Sequence, residues 1–336
     1  MFSRLLLAAW PMVVSGQFAV VGPYEVQSRT FHLSALDVSD QYIDVVYPVL
    51  AASMSERKFP FISFLHGWAC LANDSYGELL AGVARWGYVI GATRSCRFGC
   101  VSRCANPQQI AASSIAEQLD SDCISERPYY KEQLKLIEWS RSSADAALLP
   151  IDVHAGAGIA GHSMGAVGTY ITASRPTASS YGIKAAVMLH PAAPFEREIK
   201  DVPFLLMSGT QDHMTDPGEA RRIFAATPPS SRLMRAIAER RGANHLEPMN
   251  NGPQPWMAPV MAARPELSTI PELAASVDDQ GRPFVTTGYR PEIGTPQLSA
   301  RATYRAAVLP AVLPAVLPAG LLTGLSPRLP TPPRHR

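Results

Sequence analysis

This sequence has no excess of charge of either sign. It carries 30 Lys+Arg against 28 Asp+Glu, a formal net charge of +2, and charged residues make up only 17% of it. A chain so balanced builds no strong field of one sign, so nucleic acid is not an expected partner. Long hydrophobic runs are also missing. Beyond the N-terminus no window of ~20 apolar residues is free of proline or charge, so no transmembrane helix is expected. The Cys-x-x-Cys spacing of zinc sites is absent too. The five cysteines are Cys70, Cys96, Cys100, Cys104 and Cys123, and the four-residue steps from Cys96 to Cys104 have no histidine in step with them. No metal and no other cofactor is expected. In an exported chain an even subset of these thiols pairs as disulfides, leaving one over. Inert thiols are the alternative, and the pairing cannot be read from spacing.

What the chain does have is length and apolar content. Its 336 residues are 47% hydrophobic, enough for one large core or for one domain plus tails. The first 16 residues read as a secretory signal: Arg4, then the apolar run Leu5–Val14, then the small residues Ser15 and Gly16. A domain is expected over 17–264. From 265 to 336 periodicity fades, and Ala307–Pro318 repeats Ala-Val-Leu-Pro three times. Proline at every fourth position removes backbone donors and clashes with helix, so this is expected to be an extended, poorly ordered tail rather than an anchor.

Between these ends, short apolar runs alternate with helical spacing. Strands are predicted at Tyr24–Leu33, Gln41–Leu50, Phe59–Leu65, Tyr88–Thr93, Ala155–Ala160, Ile183–His190 and Val202–Ser208, with a less distinct one at Leu233–Arg240. Helices are predicted over Ser75–Trp86, capped by Asp74, over Tyr129–Leu148, over Ala166–Ser174 and over Gly218–Ala226. Short ones are expected near Gln108–Leu119 and Pro253–Ala263. Strand–helix alternation from residue 59 to about 263 predicts an α/β fold, a mainly parallel sheet covered by helices on both faces.

Gly161-His162-Ser163-Met164-Gly165 falls between a predicted strand and a predicted helix. Gly-x-Ser-x-Gly alone is weak, since chance supplies it in about one chain in ten of this length. Between strand and helix it predicts a sharp turn that lifts the Ser163 hydroxyl clear of the sheet edge, with glycines where side chains would strike neighbours. A serine hydroxyl needs a base to take its proton, and the base needs an acid to hold its tautomer. Asp212 follows 49 residues after Ser163, just past a strand, and His245 follows 33 residues later in a loop behind Gly242. The order Ser, Asp, His is the one such sheets use, and strand ends bring all three to one edge. Asp216 rivals Asp212. His154, His162, His190 and His213 rival His245, with His162 expected to pack away from the serine and His190 expected to line a substrate pocket. Donors for an oxyanion are expected from the backbone N–H of Met164 and of Trp68, the latter in the turn His66-Gly67-Trp68 after an early strand. The side chains of Trp68 and Met164 are expected beside the substrate.

FPFISFLHGWA, GYVIGATRS, AGIAGHSMGAVGTY, VPFLLMSGTQD and GANHLEP together resemble the α/β-hydrolase superfamily over about residues 40–264. Within it the chain is most similar to small esterases: chlorophyllases, cutinase-like polyester hydrolases and platelet-activating-factor acetylhydrolases. The resemblance implies a serine hydrolase that cleaves carboxylic esters through an acyl-enzyme on Ser163, with His245 as base and Asp212 as acid. Chlorophyllases often carry Arg after the serine, whereas this chain has Met164, which leans towards the cutinase-like side. The expected substrate is a small-molecule or polymeric ester in an open site, and a monomer is expected. The alternatives are an amidase or thioesterase with the same triad, or a non-catalytic binding protein on the same fold. Secretion is the expected destination, with plastid delivery the alternative that a chlorophyll substrate would demand.

Overall fold

A computed structural model of the chain describes residues 22–36, 40–96, 129–192, 197–229, 233–250, 252–253, 269 and 284–285. The expected signal segment, the helix near 108–119, Cys100, Cys104, Cys123 and the Ala-Val-Leu-Pro repeat lie outside these residues.

Eight strands form one sheet: β1 (Val26–His32), β2 (Tyr42–Pro48), β3 (Phe61–Leu65), β4 (Val89–Thr93), β5 (Ala157–His162), β6 (Ile183–Leu189), β7 (Phe204–Gly209) and β8 (Arg235–Arg240). Their spatial order is β1-β2-β4-β3-β5-β6-β7-β8. β2 runs antiparallel to both β1 and β4, and every pairing from β4 to β8 is parallel. The central strands are buried along their whole length, as parallel strands covered on both faces must be. The architecture is α/β. Outside this sheet, β9 (Gly252–Pro253) pairs antiparallel with β10 (Phe284–Val285), so Pro253 extends a strand where a helix was expected to begin.

The pleat sorts the core into two layers. Ile62, Phe64, Ala160, Val187, Leu189, Leu205 and Met207 lie in one layer with helix α1 (Ala72–Ala84), which contributes Tyr76, Leu79, Leu80 and Val83. The alternate residues Ile159, Ala186, Met188, Phe204 and Leu206 face the opposite layer. That layer includes α2 (Tyr130–Ser142), α4 (Met164–Ser174) and α5 (Pro217–Ala226), through Ile137, Tyr170 and Ile223. Both faces are therefore dry, and the ends of the parallel strands are the edge left for a site.

Two helix expectations need correction. α1 begins at Ala72, three residues before the predicted start, with Leu71 as the N-cap residue. Asp74 lies in the first turn rather than capping it, and the Ser75 hydroxyl accepts the Leu71 N–H at 3.3 Å. The long helix predicted over Tyr129–Leu148 breaks at Ser143, whose backbone is extended (φ −78, ψ 139). Its hydroxyl accepts from Asp145 N at 3.1 Å and starts a separate short helix, α3 (Ala144–Ala147). Serine's ability to bond its own backbone is what makes it a better cap than helix interior.

One buried side chain ties the two central strands to their helices. The Gln133 Nε2 on α2 lies 3.2 Å from Ser63 O, 3.2 Å from Ala160 O and 3.1 Å from Thr169 Oγ1, while Ser63 Oγ donates to Gln133 O at 3.0 Å. Replacing it with an apolar residue removes those buried contacts to both strands and to Thr169. Gln133→Leu is expected to lower unfolding stability by about 2–4 kcal/mol in urea titrations. A loss below about 0.5 kcal/mol would show that the clamp contributes little.

Candidate active site

β5 ends at His162 and α4 begins at Met164, so Ser163 alone makes the turn. Its backbone sits at φ 55, ψ −120, a conformation side chains rarely adopt and one that costs on the order of 1–3 kcal/mol. The surroundings enforce it. Ser163 N–H donates to Leu189 O at 2.9 Å, and Val167 N–H donates back to Ser163 O at 3.1 Å. A Cβ on Gly161 would lie 2.2 Å from Gly165 O, and one on Gly165 would lie 2.1 Å from Leu65 O. Both glycines are thus required by close backbone approach.

Asp212 and His245 meet at the same sheet edge. Asp212 follows β7, and both its oxygens are engaged. Oδ1 accepts from the backbone N–H of Met214 (3.0 Å) and Thr215 (2.8 Å). Oδ2 accepts from His245 Nδ1 (2.9 Å), His190 Nδ1 (2.8 Å) and the Thr215 hydroxyl (2.8 Å). Burial alone would raise the Asp212 pKa. The charge of His245 and the hydrogen bonds from both histidines overcome that and hold it well below the usual carboxylate range. Because Oδ2 can only accept, His245 carries its proton on Nδ1 and keeps Nε2 as the basic nitrogen.

His162 links the serine turn to the His245 segment. Its Nε2 lies 2.9 Å from His245 O, a carbonyl that can only accept, so Nε2 holds the proton. Nδ1 is therefore the acceptor, and the Tyr76 hydroxyl donates to it at 2.7 Å. The same hydroxyl accepts from Gly67 N–H at 3.0 Å. A relay thus runs from the turn after β3, through α1, across the residue before Ser163, to the backbone of His245. Burial, followed by repulsion from His245 and His190, holds the His162 pKa well below 6.5, and it stays neutral.

The remaining expected residues lie as follows. Trp68 is half-buried and packs with Leu65, Cys96, Tyr129 and Met164. An ideal Cβ on Gly67, the residue before Trp68, would be 3.4 Å from Ser163 Cβ, so this turn flanks the serine. His190 is buried against Asp212, with only 1% of its surface exposed. Asp216 caps α5 by accepting from Gly218 N at 2.8 Å and is exposed. His154 and His213 are exposed as well. The ligand-capable atoms of His190, Asp212 and His245 lie within 4.8 Å of one another. Both imidazoles direct Nδ1 at one carboxylate oxygen at hydrogen-bond length, which is proton-sharing geometry.

Thr215 and Tyr76 were not expected here. Thr215 had a local signal, because Asp-x-x-Thr is the pattern by which an aspartate caps its own following turn. Tyr76 lies in helical step with Leu79, Leu80 and Val83, which foretells its burial but not its partner. Compared with models of known protein families and with curated proteins, the chain matches none.

The neutral His162 gives a pH signature. A histidine whose folded pKa is depressed contributes stability that is complete above its unfolded value of ~6.5 and is lost as pH falls below it, at up to ~1.4 kcal/mol per pH unit. The depressed Asp212 acts lower, below its unfolded value of ~3.9. Urea unfolding at pH 7.5, 6.5 and 5.0 is expected to show falling stability across the upper window. His162→Asn is expected to flatten that fall. An unchanged slope in the variant would assign the window to other groups.

Proposed function

We propose that the protein is a serine hydrolase of the α/β-hydrolase superfamily that cleaves carboxylic esters through an acyl-enzyme on Ser163. The observation that carries this reading is the pairing of a strained strand-to-helix serine with a buried Asp212–His245 hydrogen bond at the same sheet edge. The strand order, with β2 antiparallel and β3 to β8 parallel, supports it. So does the chain order Ser163, Asp212, His245.

In this reading His245 Nε2 takes the Ser163 hydroxyl proton as the oxygen attacks the ester carbonyl. The tetrahedral oxyanion accepts from the backbone N–H of Met164 and Trp68. Asp212 holds the His245 tautomer and stabilises its imidazolium without taking the proton. The imidazolium then protonates the leaving alkoxide, releasing the alcohol and leaving an acyl-Ser163. Water, deprotonated by the same histidine, attacks the acyl group; the proton returns to Ser163 and the carboxylic acid departs. The apolar surroundings of Trp68 and Met164 suit a short or medium acyl chain. The N-terminal apolar run supports export.

Purified mature protein is expected to hydrolyse p-nitrophenyl acetate and butyrate. Ser163→Ala is expected to lower kcat by about 10⁴-fold or more, with the fold retained by circular dichroism. Unchanged turnover in that variant would remove Ser163 as nucleophile.

A further inference from the structure

We infer that His190 is a positioning residue for the reaction proposed above: it shares the Asp212 carboxylate with His245 and thereby sets how firmly His245 holds a proton. The inference rests on that functional reading and adds to its Asp212–His245 pair a second imidazole on the same carboxylate. His190 Nδ1 and His245 Nδ1 approach the same oxygen, Asp212 Oδ2, at 2.8 and 2.9 Å. The two rings stand nearly perpendicular, 74° apart, with centroids separated by 5.5 Å. His190 is held in that place. Its backbone adopts a left-handed conformation (φ 50) just past β6, and its N–H donates to Met207 O at 2.7 Å.

A carboxylate that donates its charge to two N–H groups offers less of it to either. With His190 present, Asp212 Oδ2 divides its field between two N–H donors, and without it that field falls on His245 alone among the two rings. His190 also pins the carboxylate in the plane His245 needs, a role the Thr215 hydroxyl shares from its own backbone turn.

Among the described residues, the groups around His245 can be named. Asp212 and Thr215 come from the segment after β7, His190 from the end of β6, and His162 from the end of β5 with Tyr76 of α1 behind it. Glu247 lies on the segment of His245 itself and is paired with Arg240. His162 stays neutral and Glu247 has its own cation, so removal of His190 acts on His245 through Asp212 and through the direct approach of the two rings.

The test is histidine-selective NMR titration of the full chain, together with pH–rate profiles. His190→Ala removes the donor. His190→Asn keeps an N–H donor, and asparagine tolerates the left-handed backbone. The titration midpoint of His245 is expected to rise by about 0.5–1 pH unit in His190→Ala and to stay within about 0.3 of wild type in His190→Asn. The acid limb of kcat/KM for p-nitrophenyl butyrate is expected to move with it. A merely structural His190 would change stability and leave the midpoint in place; a folded His190→Ala with an unshifted His245 overturns the inference. If that variant does not fold, the wild-type spectrum decides. Downfield Nδ1 protons on both His190 and His245 support the sharing, and a His190 lacking one contradicts it. The titration needs no turnover, so a protein that hydrolyses no ester fails the functional reading, while turnover with an unmoved midpoint fails only this one.

Discussion

The site depends on one buried carboxylate. Asp212 accepts five hydrogen bonds: two from backbone N–H groups of the turn that follows it, one from Thr215, and one from each of two histidines. An isolated carboxylate would cost several kcal/mol to bury and would protonate instead. Here the donors keep it ionised, and ionisation is what orients His245. The arrangement needs β6 and β7 adjacent and parallel, with both ends at one sheet edge, so that His190 and Asp212 leave neighbouring strands side by side. The sheet order is thus a precondition of the electrostatics.

The strained turn at Ser163 is the second constraint, and it is tied to the first through His162. That histidine lies beside the serine in sequence and bonds the backbone of His245. Through Tyr76 it also fixes Gly67, the residue before the proposed oxyanion donor Trp68. The Ser163 turn, the His245 segment and the Gly67 turn are held by one chain of hydrogen bonds whose members are buried. A displacement of any one is felt by the other two. The dry environment makes those bonds stronger than they would be in water and makes a lost partner costly.

Much of this was legible in the residues, for identifiable reasons. β3, β4 and β7 were readable because strands covered on both faces are short apolar runs, and β6 because its run is apolar after the exposed Lys184. The turn at Ser163 was readable because two close backbone approaches demand Gly161 and Gly165. Asp212 and His245 followed from chain order. The parts not readable were those set by tertiary partners. Nothing local marks Tyr76 as the partner of His162. His190 was expected at a substrate pocket because it ends a strand, whereas its ring bonds Asp212, a contact created only when β6 and β7 lie side by side. The break at Ser143 was missed because apolar spacing continues across it while the serine diverts its backbone.

The central claim is that Ser163 is an activated nucleophile poised by His245 and Asp212. Its most direct measurement is fluorophosphonate labelling of the folded mature protein, with the adduct located by peptide mass spectrometry. The account predicts a single adduct on Ser163, abolished in His245→Ala. No labelling of the folded protein, or an adduct on a different residue, would contradict it.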